Sequence, residues 1–229
     1  MGLALFDLDN TLIAGDSDYL WGRFLVEQGM VDEVHYEKEN QRFYDEYTRG
    51  ELDIEEFLAF SLKPLSQYPY QQLIELRKQF VKEKIEPILL PAAQRLVDAH
   101  RSKDRTIVII TATNEFVTAP IAELYGADVL IATRPERKAG EFTGLVDGIP
   151  CFQEGKVTRL NDWLLTQQRT FDESWFFSDS NNDKALLEWV KNPVVVDADT
   201  MLSELAAERG WPAITLREDA SFELSPALY

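Results

Sequence analysis

Near the start of the chain, the run "GLALFDLDNTL" places Asp7 and Asp9 one residue apart at the end of an apolar stretch. Two carboxylates at the edge of a core are costly unless a cation neutralises them, whether Lys, Arg or a metal ion. On an extended strand, side chains alternate with period two, so both acids face the same side. A carboxylate so placed can attack phosphorus, and a second can give and take a proton. Three later stretches carry matching chemistry. "TIVIIT" ends on the hydroxyl of Thr111, "EGK" holds Lys156, and "SDSNND" supplies Asp179, Asn182 and Asp183. An anionic nucleophile approaching a phosphate needs its repulsion cancelled, and Mg2+ suits that task because it takes few carboxylates and keeps waters.

These groups meet only if the strands that carry them lie side by side. Leu3–Asp9, Thr106–Thr111, Asp128–Thr133, Ser174–Asp179 and Pro193–Asp197 are apolar runs with the length of buried strands. Between them, "PAAQRLVDAHRSK", "NEFVTAPIAELYG", "GKVTRLNDWLLTQQ" and "DKALLEWVK" repeat apolar residues at helical spacing. The alternation predicts an α/β fold, a Rossmann-like parallel sheet with helices on both faces. Ligands of such sheets bind beyond the carboxyl ends of the strands. The segment 16–86 breaks the alternation, with four helical stretches, no strand and a length beyond any ordinary crossover. It is predicted as an all-helical domain inserted into a core of residues 1–15 and 87–229, lying over the end of the first strand. "EFTGLVDGIPC", Glu141–Cys151, carries strand and turn signals and is predicted as a hairpin.

The four stretches in this order resemble the signature motifs of the haloacid dehalogenase superfamily. "DLDNT" is similar to D-x-D-x-T, "IVIIT" to the apolar strand ending in Ser or Thr, "EGK" to the lysine motif and "SDSNND" to G/S-D-x-x-N-D. The helical insert resembles a C1-type cap, and with "FTGLVDG" it points to the phosphoserine-phosphatase-like branch, subfamily IB. The resemblance implies that Asp7 is the nucleophile, forming an aspartyl phosphate, and that Asp9 is the general acid and base. It further implies that Thr111 and Lys156 hold phosphoryl oxygens. Mg2+ would be bound by Asp7, the backbone carbonyl of Asp9 and Asp179, with Asp183 supporting. Asn182 either orients water or substrate or caps the helix beginning near Asp183. An acid at position 9 favours phosphate chemistry over carbon–halogen cleavage.

The same resemblance bears on the substrate, expected to be a small phosphorylated metabolite. Asp16 stands where phosphoserine phosphatases usually carry a Glu that contacts the substrate amino group, though Asp16 or Ser17 could equally cap a helix. Arg42 or Arg49 would meet a substrate carboxylate. Histidinol phosphate, with an amino group and an imidazole but no carboxylate, would suit an acidic site without arginine. A phosphotransferase passing the group to an acceptor alcohol, and a phosphate-sensing module without turnover, are the competing readings.

Composition narrows the classes further. A net charge of −17 over 229 residues argues against a broad nucleic-acid-binding surface. Hydrophobic residues at 45% and aromatics at 11% are enough for a folded core. Cys151 stands alone, which forbids an internal disulfide, and it reads as a small buried residue. No apolar run is long enough to span a membrane, and the opening residues lack the basic and apolar regions of a signal peptide. The expectation is a soluble cytoplasmic protein with no membrane or nucleic-acid partner. His35 and His100 lie in polar helical stretches away from the motifs, and the five tryptophans read as packing residues.

Overall fold

The computed structural model describes residues 2–168 and 170–217. Its first strand, β1 (Gly2–Phe6), alternates strictly: Leu3 and Leu5 turn to one face, Ala4 and Phe6 to the other, and all four are fully buried. A strand apolar on both faces belongs at the centre of a covered parallel sheet. That is where β1 lies. Each large side chain of this kind contributes about 1.5–3 kcal/mol through burial.

The chain leaves β1 and forms α1 (Ser17–Glu27), α2 (Glu33–Thr48), α3 (Ile54–Ser61) and α4 (Tyr70–Phe80), with no strand among them. The first three start at Asp16, Asp32 and Asp53, each a side-chain cap on an otherwise unpaired backbone N–H. After α4 a π-type turn, Val81–Ile85, leads back to the sheet. Trp21 packs its ring against Phe24 and Phe80 at 5.8 and 5.2 Å, and against Phe116 at 6.0 Å. α1, α3 and α4 therefore share one apolar core with the sheet's near face.

The remaining elements are α5 (Pro91–Arg101), β2 (Thr106–Asn114), α6 (Glu115–Leu124), β3 (Val129–Thr133), β4 (Pro135–Lys138), β5 (Glu141–Val146), α7 (Glu154–Leu165), β6 (Glu173–Ser178), α8 (Lys184–Trp189), β7 (Asn192–Val196), α9 (Thr200–Arg209) and β8 (Ala213–Ile214). Six strands pair in parallel in the order β3-β2-β1-β6-β7-β8, the Rossmann-like α/β arrangement expected. α5 and α6 cover one face through residues such as Leu96 and Val117, and α7, α8 and α9 cover the other through Leu160, Leu186 and Leu202. Tryptophans 21 and 175 are packed, as expected, while Trp189 is 39% exposed.

Three features differ from the sequence expectation. The hairpin lies one strand earlier than Glu141–Cys151, because β5 pairs back onto β4 through Ala139 and Gly140. Both turn residues adopt positive φ, 51° and 92°, and an alanine there gives no turn signal of the Asn-Gly type. His100 does not lie on a polar face. It is wholly buried with its ring edge-on to Phe6, Trp175 and Phe177, and Arg105 Nη1 sits 3.0 Å from its Nδ1. Its position four residues after Leu96 places it on the helix stripe that faces the sheet. α9 and the two-residue β8 are additional to the predicted set.

Candidate active site

Connections from β1 run first to β2 on one side and later to β6 on the other, so the strand order reverses at β1. Such a reversal opens a crevice at the carboxyl ends of the strands. Asp7 is the first residue past β1, and its backbone N–H donates to the Phe177 carbonyl of β6 at 2.9 Å. Its Oδ1 accepts from Lys156 Nζ at 2.7 Å, and the same ammonium reaches Asp183 Oδ1 at 2.6 Å. All three side chains are nearly inaccessible, between 2% and 6% exposed. Ser178 Oγ completes the Asp183 carboxylate, donating to its Oδ2 at 2.7 Å.

Lys156 reaches this point because the chain turns tightly ahead of α7. Gln153 sits at φ 48°, an uncommon conformation for a residue with a side chain. A Cβ on Gly155 would lie 2.1 Å from the Pro150 carbonyl oxygen, which no side chain can occupy. The glycine of "EGK" is thus a packing requirement that delivers the lysine.

Asp9 is held by three groups from two directions. The backbone N–H of Ser17, at the start of α1, donates to Oδ1 at 2.6 Å. On the other side Thr113 Oγ1 donates to Oδ2 at 2.8 Å, and Thr111 Oγ1 lies at 3.4 Å. β2 slips its register against β3 between Thr111 and Asn114, a bulge that turns this end of the strand into the crevice. Thr113 was not expected to matter. Period two puts it on the face of Thr111, so carrying the predicted strand two residues further would have found it.

Thr11 supplies another link that sequence alone left without a role. Its hydroxyl donates to Asp179 Oδ1 at 3.0 Å and accepts from the Asp179 backbone N–H at 3.1 Å, tying the loop after β1 to the end of β6. Thr11→Val keeps the shape and removes both bonds. We expect unfolding free energy in urea to fall by about 1–3 kcal/mol and kcat/KM by about 10- to 100-fold. Unchanged kinetics would mean that Asp179 is positioned without Thr11.

Asn182 does not cap α8, whose first position is preceded by Asp183 and carries no side-chain cap; Ser180 Oγ accepts the Asn182 N–H and caps the short turn before it. The Asn182 side chain bridges instead, donating to the Tyr47 carbonyl at 3.1 Å and accepting from Gln153 Nε2 at 3.2 Å. It therefore joins the end of α2 to the loop before α7.

Above the two acids that follow β1 lies a cavity whose wall comes from α1, α2, α3 and the end of β2. Its polar groups include Asp7, Asp9, Thr111 and Thr113 on the floor, and Asp16, Asp18 and Asn40 on the wall; Phe43, Tyr44, Tyr47 and Phe57 are among its aromatic residues. Asp16 holds both expected positions at once: it caps α1 through the Tyr19 N–H at 2.8 Å and lines the cavity. Neither candidate arginine reaches this space. Arg49 is 55% exposed and paired with Glu51 at 2.8 Å, and Arg42 is held by Glu39, Glu46 and Glu56. Both lie on the acidic outer side of the helices, where carboxylates compete for them. Among the described residues, no lysine or arginine lines the cavity. Asp18 was not foreseen, because an acid in the first turn of a helix ordinarily only favours the helix dipole.

The model of the haloacid dehalogenase-like hydrolase family matches residues 4–188 of the chain. The chain belongs to that family. A histidinol-phosphatase of Neisseria meningitidis serogroup C (strain 8013) is 41% identical over 219 residues, which cover 94% of this chain and 99% of that protein. A crystal structure of a protein of unknown function from Bordetella pertussis Tohama I is 41% identical, with a TM-score of 0.88 over 93% of this chain and 98% of that one. A phosphoserine phosphatase structure holding an analogue of its phospho-aspartyl intermediate shares the fold, with a TM-score of 0.69 at 19% identity.

For a member of this hydrolase family the charge balance of the crevice is its leading feature. Burial pushes the Asp7 carboxyl up to about 7, with Lys156 pulling it back and Asp183 and Asp9 adding to the rise. Burial, and then the charge of Asp16, raise Asp9 to about 6 against the bonds from Ser17 and Thr113. Asp179 is held well above the carboxylate range by burial and by Asp7. Burial opposes the charge on Lys156, but Asp183 and Asp7 outweigh it and keep the ammonium firmly protonated. One lysine thus faces several buried acids. Such an excess of negative charge fits a divalent cation. Among the described residues no three His, Cys, Asp or Glu side chains form an all-protein cage. Two carboxylates and a carbonyl suit Mg2+, which retains waters and takes its remaining oxygens from phosphate.

Proposed function

We propose that this phosphatase hydrolyses histidinol phosphate, or a closely related amine-bearing phosphomonoester, through an aspartyl phosphate on Asp7. The observation that carries the substrate reading is the cavity wall, with its carboxylates, its aromatic rings and, among the described residues, no cation. An acidic, aromatic wall favours an ammonium and an imidazole, and a substrate carboxylate would be desolvated there without a partner. The Neisseria histidinol-phosphatase supports the same choice.

In this reading Asp7 attacks phosphorus while Lys156 and Thr111 hold the phosphoryl oxygens. Asp9, fixed by Ser17 and Thr113, protonates the leaving alcohol oxygen and then takes a proton from the attacking water. Asp7, Asp179 and the backbone carbonyl of Asp9 would hold Mg2+, with Asp183 supporting through Lys156. When bound, the ion supplies charge neutralisation between carboxylate and phosphate. Residues 16–86 act as a cap domain that keeps bulk water from a core of residues 1–15 and 87–229. No helix among the described residues is long and apolar enough to cross a membrane, and the cytoplasm is the proposed location.

The test is phosphate release with Mg2+ from histidinol phosphate, O-phosphoserine and a sugar phosphate. Histidinol phosphate should lead in kcat/KM by about tenfold or more over each. A lead for O-phosphoserine would overturn the substrate reading. Transfer of the phosphoryl group to an added alcohol in preference to water would favour a phosphotransferase.

A further inference from the structure

The far wall of the cavity holds two polar groups that the reaction at Asp7 does not use. Asp18, in the first turn of α1, receives among the described residues only a long hydrogen bond, from Asn114 Nδ2 to its Oδ1 at 3.4 Å. Asn40, on α2, is 5% exposed and donates through Nδ2 to the Tyr19 carbonyl at 3.1 Å. That bond fixes the orientation of the amide. It leaves Oδ1 as an acceptor with no partner among the described residues, in a side chain that lines the cavity. An acceptor open to a cavity and held by a fixed amide is placed to receive a hydrogen bond from a bound donor.

Asp16 is closer to the chemistry, since its charge interacts with both Asp9 and Asp7, whereas Asp18 interacts with Asp16 and Asp9 alone among the described acids. Asp18 stands further along the wall, beside the N-terminal end of α6. Two groups, a carboxyl whose pKa is raised well above the ordinary range by burial and by the charges of Asp16 and Asp9, and a neutral amide, thus line a space walled by Phe43 and Phe57. A bound cation would favour the ionised form of the carboxyl. Among the described residues, none that lines the cavity offers either of them a cation.

We infer that Asp18 and Asn40 form a distal subsite for a nitrogen group bearing N–H donors, an ammonium or an imidazolium, and that Asp18 selects substrates carrying it. An imidazolium presents two N–H donors and a flat face, which suits one carboxylate, one amide oxygen and flanking rings. The inference rests on the proposed function only for where the phosphoryl end of the substrate lies. It separates the two acids: Asp16 reads the part of the molecule next to the phosphate, and Asp18 the far end.

Calorimetric titration of the Mg2+-loaded protein with histidinol, and with the neutral 2-phenylethanol as comparison, tests this directly. Asp18→Asn keeps the size and removes the charge. Histidinol affinity should fall by about tenfold more than that of the neutral alcohol. Asn40→Leu should also weaken histidinol selectively, whereas Asn40→Asp, which adds a charge at the same place, should retain or tighten it. With phosphate esters of the same two alcohols, the loss in Asp18→Asn should appear mainly in KM. Equal losses for both alcohols would reduce Asp18 to a residue that shapes the wall, and overturn the assignment. So would failure of the unaltered protein to prefer histidinol. Selective, Asp18-dependent histidinol binding without release of phosphate from histidinol phosphate would uphold the subsite and remove the proposed reaction, so the two failures are distinct.

Discussion

Asp7→Asn is expected to lower kcat by about four orders of magnitude or more while leaving the protein folded. The carboxamide cannot attack phosphorus, so the covalent route is closed, and losses of this size follow removal of a nucleophile elsewhere. Stability should hold or rise slightly. Asp7 already sits in a crowd of acids that pushes its carboxyl up to about 7, with burial the largest cause. A neutral side chain of the same shape relieves that repulsion and can still accept from Lys156 Nζ, now 2.7 Å from Oδ1. Steady-state kinetics beside a thermal melt monitored by circular dichroism give both quantities. Turnover within tenfold of the unaltered enzyme would remove Asp7 from the reaction.

Lys156→Met should be severe in both respects. The substitution removes the cation that contacts Asp7 and Asp183, leaving two buried carboxylates without their partner. Breaking a buried pair from one side is destabilising by about 3–5 kcal/mol, far more than the net worth of the pair itself. The loss should depend on pH. Lys156 pulls the Asp7 carboxyl down, and without it the folded-state value rises further above the unfolded 3.8. The folded variant then binds a proton that the unfolded chain has released, so stability is present below about pH 4 and is lost as pH rises through and beyond 7. Urea unfolding at pH 5 and pH 8 checks the sign, with the larger deficit against the unaltered protein expected at pH 8. A deficit independent of pH would assign the damage to packing around α7. Activity should be lost at both values if, as proposed, Lys156 holds the phosphoryl oxygens.

Much of this molecule is legible in local patterns. The alternation of Leu3, Ala4, Leu5 and Phe6 predicts a strand buried on both faces, and it lies at the centre of the sheet. Acids at the ends of two such runs, a terminal threonine and a lysine after a glycine predict a phosphate-handling crevice. These are short-range signals, carried by residue type and by a period of two or 3.6, and each can be read within a dozen residues. Two of the misreadings are also local. Ala139 enters a left-handed turn that its side chain disfavours, and His100 falls on a stripe whose inward direction depends on what the helix meets.

Long-range contacts, by contrast, had to be seen. Thr11 and Asp179 are 168 residues apart, and Asp9 meets Thr113 across 104. A hydroxyl's partner is set by which strands become neighbours, and the strand order is a property of the whole sheet. The substrate wall is the clearest case. Arg42 and Arg49 look equally suited to a carboxylate on paper, yet each is taken by nearby glutamates on the outer surface. Asp18 and Asn40 lie on different helices and are brought to one cavity by the packing of α1 on α2. Chemistry follows from residues close together in the chain, where spacing carries it. Specificity follows from side chains that meet only after folding, because the direction in which a helix turns its polar face is decided by what packs against the other one.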